Sequence, residues 1–327
     1  AGWDEIQPCP PPGSHLTIGR TMYETDRLPA DWVVRCNRMD HVWVPTAFHL
    51  EAFARSGVKR EKLVVVPEAV DVDFFDPARH VGLTMPKRNF FKTPAFNFLS
   101  VFKWEARKGW DVLLEAYLRE FKFTDNVALH LKTWSFHEET NFQKVIATKV
   151  DELGLTPKTP AHHNAAIHVF QRNLTNAEMA SLYKGADAFV LATRGEGWCR
   201  PLAEAMSMGL PSICTNWSGP AAFLDEDVGY PLSVASLEPM ATSDPDLAAE
   251  GHLWAQPDVD HLRKLMRHIF ENREEAAERG NRARVRMVEQ FSPDTVAHKV
   301  RMEIEGAVKK YVETRTKAKA GAAKEEL

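Results

Sequence analysis

Two carboxylates and a proline in Arg194–Pro220 carry most of the chemistry legible in this chain. Glu196 and Glu204 lie eight positions apart, with Gly197 and Pro201 between them. The apolar run Ala188–Thr193 precedes the pair, and a helical stretch stopping at Gly209 and a strand, Ser212–Thr215, follow it. Pro201 suits the first helical position, where a backbone N–H would find no partner anyway. The amides from about Trp198 to Leu202 then point out of a helix N-terminus, an arrangement that binds anions and especially phosphate. A carboxylate has no reason to bind phosphate. Two of them beside a phosphate site suit hydroxyl groups, such as those of a sugar and a ribose.

A second group of candidates precedes these. Lys103 follows the strand pattern Phe96–Phe102, and Lys108 stands one residue before Gly109, where a helix pattern runs to Glu120. Strand and helix patterns then alternate: Val127–Thr133, Thr140–Leu153, Ile167–Phe170, Ala177–Gly185, Ala188–Thr193, the Pro201 helix and the Ser212 strand. Such alternation predicts an α/β domain with a doubly wound parallel sheet, whose ligands bind at the carboxyl ends of the strands. The candidate residues all fall there. Before this region the sequence predicts a helix over Asp31–Asp40, a strand over Val42–Pro45, a helix over Phe48–Ser56 capped by Thr46 and ended by Gly57, and a strand over Leu63–Val66. Charged helices fill residues 258–290, a last helix starts at Phe291-Ser-Pro293, and the Lys/Ala/Glu-rich tail after Thr314 reads as frayed or disordered.

The combination resembles the retaining glycosyltransferases of the GT-B fold, specifically glycosyltransferase family 4 with its E-x7-E motif. Phe98–Ala116 is similar to the family's strand, basic residue, loop, Lys-Gly, helix element for the donor phosphates; Val64–Pro77 to its interdomain linker; and Tyr23–Pro29 and His41–Thr46 to the end of its acceptor domain. The resemblance runs from about Gly19 to Tyr311. It implies a partial, Rossmann-like acceptor-side domain over 1–75, a linker over 76–94, a donor-binding domain over 95–290, a crossing helix over 291–312 and a tail over 313–327. In the family the first domain is about half the protein and opens with a strand and a glycine-rich loop. Only about 75 residues precede the linker here, opened by the proline-rich Ala1–Gly13, so the resemblance implies that most of that domain is missing.

The resemblance also assigns roles. Glu196 would orient the transferred sugar, Glu204 would accept the donor ribose hydroxyls, and Lys103 and Lys108 would hold the diphosphate. The family often has arginine at the first of these cations, and lysine keeps the charge but loses the bidentate fork. Gly197, Cys199, Pro201 and Leu202 would line the donor site, with Cys199 a small residue offering its backbone. Arg200 suits a phosphate or solvent, Trp198 suits packing or stacking on the sugar, Trp134 would flank the nucleotide, and Arg172 sits where the base-binding loop does. Glu24, Asp26 and Arg27 lie on the acceptor side, to touch the acceptor or to hold a loop. Asp71-Val-Asp73 matches the metal motif of the other glycosyltransferase fold, but its surroundings match the GT-B linker, so no metal is expected. His162 and His163 read as solvated loop residues.

Other classes fare worse. The 327 residues suit two domains. A net charge of −4 gives no case for nucleic acid. No apolar run approaches the ~20 residues of a membrane span. Cys9, Cys36, Cys199 and Cys214 lie far apart without a zinc-ligand spacing, which points to a reduced compartment and so to the cytoplasm. No G-x-G-x-x-G follows a strand, against a nicotinamide oxidoreductase. The expectation is transfer of a mannose- or glucose-like hexose from a nucleotide-diphosphate sugar to a hydroxyl acceptor (glycan, lipid or small molecule), with retention, without metal, and with no cofactor beyond the donor. A nucleotide-sugar epimerase and a non-catalytic nucleotide-sugar binder remain as alternatives.

Overall fold

Phe96–Lys103 (β4) and Val127–Trp134 (β5) are mostly apolar, and both are buried along nearly their whole length, as strands covered on both faces must be. They pair in parallel at the centre of a six-stranded sheet. Ala166–Phe170 (β6) flanks β5, and Ala188–Leu191 (β7), Ser212–Thr215 (β8) and Tyr230–Leu232 (β9) extend the other side. All five pairings are parallel and the order is β6-β5-β4-β7-β8-β9. The chain thus builds outward from β4 in one direction and, from β7 onward, in the other. The crevice between the carboxyl ends of β4 and β7 is the topological switch point, where open α/β sheets bind ligands. The computed structural model describes residues 10, 12–86, 93–134, 141–156, 165–240 and 251–325.

Four helices, Trp110–Glu120 (α3), Phe142–Glu152 (α4), Asn176–Lys184 (α5) and Arg200–Ser207 (α6), connect these strands. Thr175 caps α5 and Glu178 returns the bond, a reciprocal capping box. Val259–Glu271 (α7) packs on α3, and Arg273–Phe291 (α8) on α6. The core is aromatic and aliphatic, with Phe98, Tyr117, Phe121, Tyr183 and Phe189 among its fully buried side chains.

A second, smaller parallel sheet joins Ile18–Arg20 (β1), His41–Val44 (β2) and Leu63–Val65 (β3) in that order. Ala30–Arg38 (α1) and Ala47–Ser56 (α2) accompany it; the Thr46 hydroxyl caps α2, and Gly57 ends it at φ 109°. A short antiparallel hairpin, Val234–Pro239 (β10) and Leu253–Pro257 (β11), projects after β9.

Most boundaries fall within two residues of the sequence reading. Three differences have physical causes. α6 begins at Arg200, so Pro201 holds its second position and Cys199 the cap. β1 and β9 have three residues each and β10 is largely exposed, so periodicity does not announce them, and the mostly buried β11, Leu-Trp-Ala-Gln-Pro, has no alternating pattern. The tail expected to be frayed continues the final helix, Pro293–Glu325 (α9), through Lys/Ala/Glu-rich sequence of high helix propensity. This helix reaches back to the N-terminal segment, where the Tyr311 ring lies 6.5 Å from that of His15. His162, His163 and Cys9 lie outside the described residues.

Candidate functional site

Gly109 decides how the site is assembled. It stands at φ 60°, and a Cβ there would lie 1.7 Å from the Ala192 carbonyl oxygen. Only glycine lets the loop after β4 press onto the end of β7. The Arg194 amide bonds the Arg107 carbonyl at 2.7 Å, and the Arg194 guanidinium holds Asp111 of α3 at 2.9 and 2.8 Å, the Ala106 carbonyl at 2.6 Å and Gln256 of β11 at 3.1 and 3.0 Å. One buried arginine therefore fastens the two loops of the switch point to each other and to the hairpin.

Glu196 is 5% exposed. Lys108 donates to both its oxygens, at 2.6 and 2.9 Å; Thr193 Oγ1 donates to one at 2.9 Å; Arg107 stands 3.5 Å away. Its amide is held by Ser218 Oγ at 2.9 Å. Burial alone would raise the carboxyl pKa, but Lys108, Arg107 and the hydrogen bonds outweigh it and hold the group below its ordinary value. Glu204 goes the other way. Burial raises its pKa, and the Tyr183 hydroxyl, donating at 3.0 Å, and Arg200, 3.9 Å off, only partly offset this. Two carboxylates eight residues apart thus have pKa values pushed in opposite directions.

Lys103 ends β4 and pairs with Glu105 at 2.5 Å. Arg107 donates to the Gly195 carbonyl at 2.7 Å and stands 3.5 Å from Glu105 and 3.7 Å from Glu24. Burial works against its charge, and Glu196, Glu24 and Glu105 more than restore it. Among the described residues the two non-glycine residues at positive φ, Cys199 at 80° and Ser218 at 59°, both lie here. Such outliers persist where the surrounding structure over-determines them.

The structure brings Lys103, Lys108, Glu196, Gly197, Cys199 and Pro201 to the switch point, with Glu204 in α6 behind them. The amides that could bind an anion are fewer than the sequence suggests. Leu202 N–H bonds the Cys199 carbonyl at 3.1 Å and Pro201 has none, so Trp198, Cys199 and Arg200 remain as candidate donors. Trp198 is a packing residue: 3% exposed, its ring lies 4.7 Å from Phe223 and 5.3 Å from Phe291. Arg200 is 82% exposed, and Trp134, at the end of β5, is 44% exposed. Arg172 pairs with Glu178 of the α5 cap at 2.7 Å.

At the N-terminal segment, a Cβ on Gly195 would lie 2.1 Å from the Glu24 carbonyl, so the two segments abut. Asp26 and Arg27 hold the loop. Asp26 accepts from Leu253 N–H at 2.7 Å and donates to its carbonyl at 3.0 Å, while Arg27 pairs with Asp26 at 2.8 Å. Thr25 and His252 add a buried 2.8 Å bond. Asp71 accepts from the Phe74 amide and Asp73 stands 3.8 Å from Arg79, so that segment is an ordinary turn. The sequence reading missed Arg107, Thr193, Arg194 and Ser218. The first sits beside a named lysine, and the Ser-Gly-Pro after β8 is a turn signal.

Residues 93–244 match the family described as glycosyl transferases group 1. Mannosylfructose-phosphate synthase of Agrobacterium fabrum (strain C58) is 25% identical over 167 residues, 50% of this chain and 34% of that protein. The chain thus spans about a third of the length of the curated relative it matches. The solved structure of Anabaena HepE in complex with UDP and glucose superposes with a TM-score of 0.65 at 14% identity, over 88% of this chain and 71% of that one. Sucrose-phosphate synthase from Thermosynechococcus elongatus gives 0.61 at 17%, over 84% and 60%. The architecture is that of the GT-B glycosyltransferases. No helix among the described residues is long and apolar enough to cross a membrane.

Proposed function

We propose that this chain, a glycosyltransferase whose residues 93–244 form a group 1 domain, transfers a hexose from a nucleoside-diphosphate sugar to a hydroxyl acceptor with retention and without a metal. One observation carries this reading. Three cations at the end of β4 and on the loop after it, namely Lys103, Arg107 and Lys108, gather where a buried carboxylate, Glu196, and the N-terminus of α6 converge at the switch point.

The chemistry follows from charge. As the sugar departs, the diphosphate gains negative charge. Fixed cations and helix amides stabilise that charge without having to reorganise, commonly the largest catalytic contribution. Glu196, kept ionised by Lys108, stands where it can accept hydroxyls of the sugar and orient it. Glu204, with one oxygen held by Tyr183, presents its other side to the ribose. The leaving phosphate takes the acceptor proton on the same face, so the protein supplies orientation and electrostatics and no separate nucleophile. Trp134 at the carboxyl end of β5 would flank the base. UDP in the HepE complex makes uridine the first base to try.

Calorimetric titration of UDP, GDP, UDP-glucose and GDP-mannose, with EDTA present, tests the donor site. One nucleotide series should bind the wild-type chain, and Glu204→Ala should abolish or strongly weaken that binding. Binding that survives in Glu204→Ala removes the ribose role, and binding that requires a divalent cation removes the metal-independent mechanism. The anomeric configuration of any product, read by NMR, decides retention.

A further inference from the structure

Among the described residues Lys103, Arg107 and Lys108 face Glu24, Glu105 and Glu196, three cations against three acids. The three acids are held differently. Glu196 is buried, with both oxygens on Lys108 and a further bond from Thr193, and its partners are built into the fold. Glu24 touches the cluster only at 3.7 Å. Glu105 is held by charge: Lys103 at 2.5 Å on one side, Arg107 at 3.5 Å on the other, with its side chain 32% exposed. Its backbone is extended, and its carbonyl accepts from the Lys108 amide at 3.0 Å. The backbone is therefore pinned while the carboxylate has solvent beside it. Arg107 has its own anchor, the 2.7 Å bond to the Gly195 carbonyl, and does not depend on Glu105 for its place.

We propose that Glu105 is an internal counter-anion of the diphosphate subsite: it neutralises Lys103 and Arg107, and an incoming nucleoside diphosphate must displace it to reach them. This rests on the donor-site reading above and adds to it an affinity-setting residue. A diphosphate carries at least two negative charges into a cluster whose three described acids already oppose its three cations. Moving the Glu105 carboxylate into solvent makes the cluster more positive by one charge, which favours the anion. The same exchange favours ligands with an intact diphosphate over a nucleoside monophosphate, whose single phosphate has less to gain from the two cations that Glu105 holds.

The experiment is a titration of UDP and GDP, without sugar so that no turnover intervenes, into the wild-type chain and its Glu105→Gln, Glu105→Asp and Glu313→Gln variants. Glu313 is exposed on α9 and serves as a control for net charge. The nucleotide that binds should bind Glu105→Gln roughly tenfold more tightly, equivalent to about 1.4 kcal/mol, and should show a steeper dependence on salt. Glu105→Asp, with its charge on a shorter arm, should fall between, and Glu313→Gln should match the wild type. Unchanged or weaker binding to Glu105→Gln overturns the proposal, as does equal tightening in Glu313→Gln. If neither nucleotide binds any of the four proteins, the donor-site reading fails and takes this inference with it.

Discussion

Lys108 Nζ lies 2.6 and 2.9 Å from the two carboxylate oxygens of Glu196, although 88 residues of chain separate them. The pair ties the loop after β4 to the loop after β7, and both side chains are largely buried, at 13% and 7% exposure. Removing one partner leaves the other charge with poorer company, which for a buried pair typically costs about 3–5 kcal/mol. Arg107 and Thr193 soften the loss for Glu196. Lys108→Met should therefore destabilise by roughly 2–3 kcal/mol and Glu196→Gln by a similar amount. The double variant should cost at least ~1 kcal/mol less than the sum. Urea denaturation of the four proteins measures this coupling, and strict additivity would show that the two groups stand independently.

Cys199 caps α6 at φ 80°, a conformation that costs a residue with a side chain about 1–3 kcal/mol. Glycine removes that strain, but it gains unfolded-state entropy of about 0.4–1 kcal/mol and gives up a buried thiol. Cys199→Gly should thus melt within a few degrees of the wild type. Cys199→Ala should be mildly less stable, because it keeps the strain and loses the sulfur. Cys199→Val should be the worst, by roughly 2 kcal/mol or more, since β-branching is least compatible with positive φ. Thermal melts of the three give an order, and a valine variant as stable as the glycine one would mean that the local backbone adapts freely.

How far the sequence carries depends on range. The Ala188–Thr215 unit and the strand–loop–helix from Phe96 to Glu120 are legible because each is local: a β-branched or aromatic run, a Gly or Pro punctuation, then an apolar helical face. Thr46 and Gly57 announce their caps in the same way. The contacts that make the site a site are long-range. Nothing near Arg194 says that its guanidinium will grip Asp111 and Gln256, and nothing near Trp198 says that it will bury its ring between Phe223 and Phe291. Asp26 reads as an acceptor-side carboxylate until its bonds to Leu253, 227 residues on, show it holding a loop against the hairpin. Glycine is the exception. Gly109 and Gly195 each mark a close approach to another segment, at Ala192 and Glu24, and a glycine beside a candidate cation or carboxylate is a long-range signal written locally.

Two buried histidines give the fold a pH dependence unconnected with the cluster of acids. Burial lowers the pKa of His49 from 6.5 to about 4. Burial, helped by His168 stacked 5.1 Å away, lowers that of His130 to about 3. A histidine with a depressed folded pKa contributes stability that is complete above its unfolded value and is lost as pH falls below it. Between pH 6.5 and 4 the unfolded chain binds protons that the folded one refuses. At pH 5 each histidine should cost about 2 kcal/mol relative to neutral pH, at 1.36 kcal/mol per unit. His130→Gln should flatten the slope of stability between pH 7 and 5, whatever it does to the baseline. An unchanged slope would mean that His130 titrates normally in the fold.

Glu204 should make nucleotide affinity and stability respond oppositely to acid. Its folded pKa is raised above the ordinary glutamate value, chiefly by burial. The fold therefore favours the protonated form, and acidification through the raised pKa relieves an unfavourable charge. A protonated carboxyl, however, loses part of its capacity to accept the ribose hydroxyls. Affinity should fall as pH drops toward the raised value, beginning above the ordinary value of about 4.3. Glu196 contributes nothing in that range, because Lys108 and Arg107 keep its pKa below the ordinary value and it stays ionised. The ligand's own phosphate also titrates, with a second pKa of about 6, so the informative quantity is the difference between wild type and Glu204→Gln. The variant should bind more weakly at pH 7.5 and approach the wild type as pH falls to 5. Parallel affinity curves for the two proteins over this range would show that the Glu204 carboxylate does not contact the nucleotide, and the ribose role would fall with it.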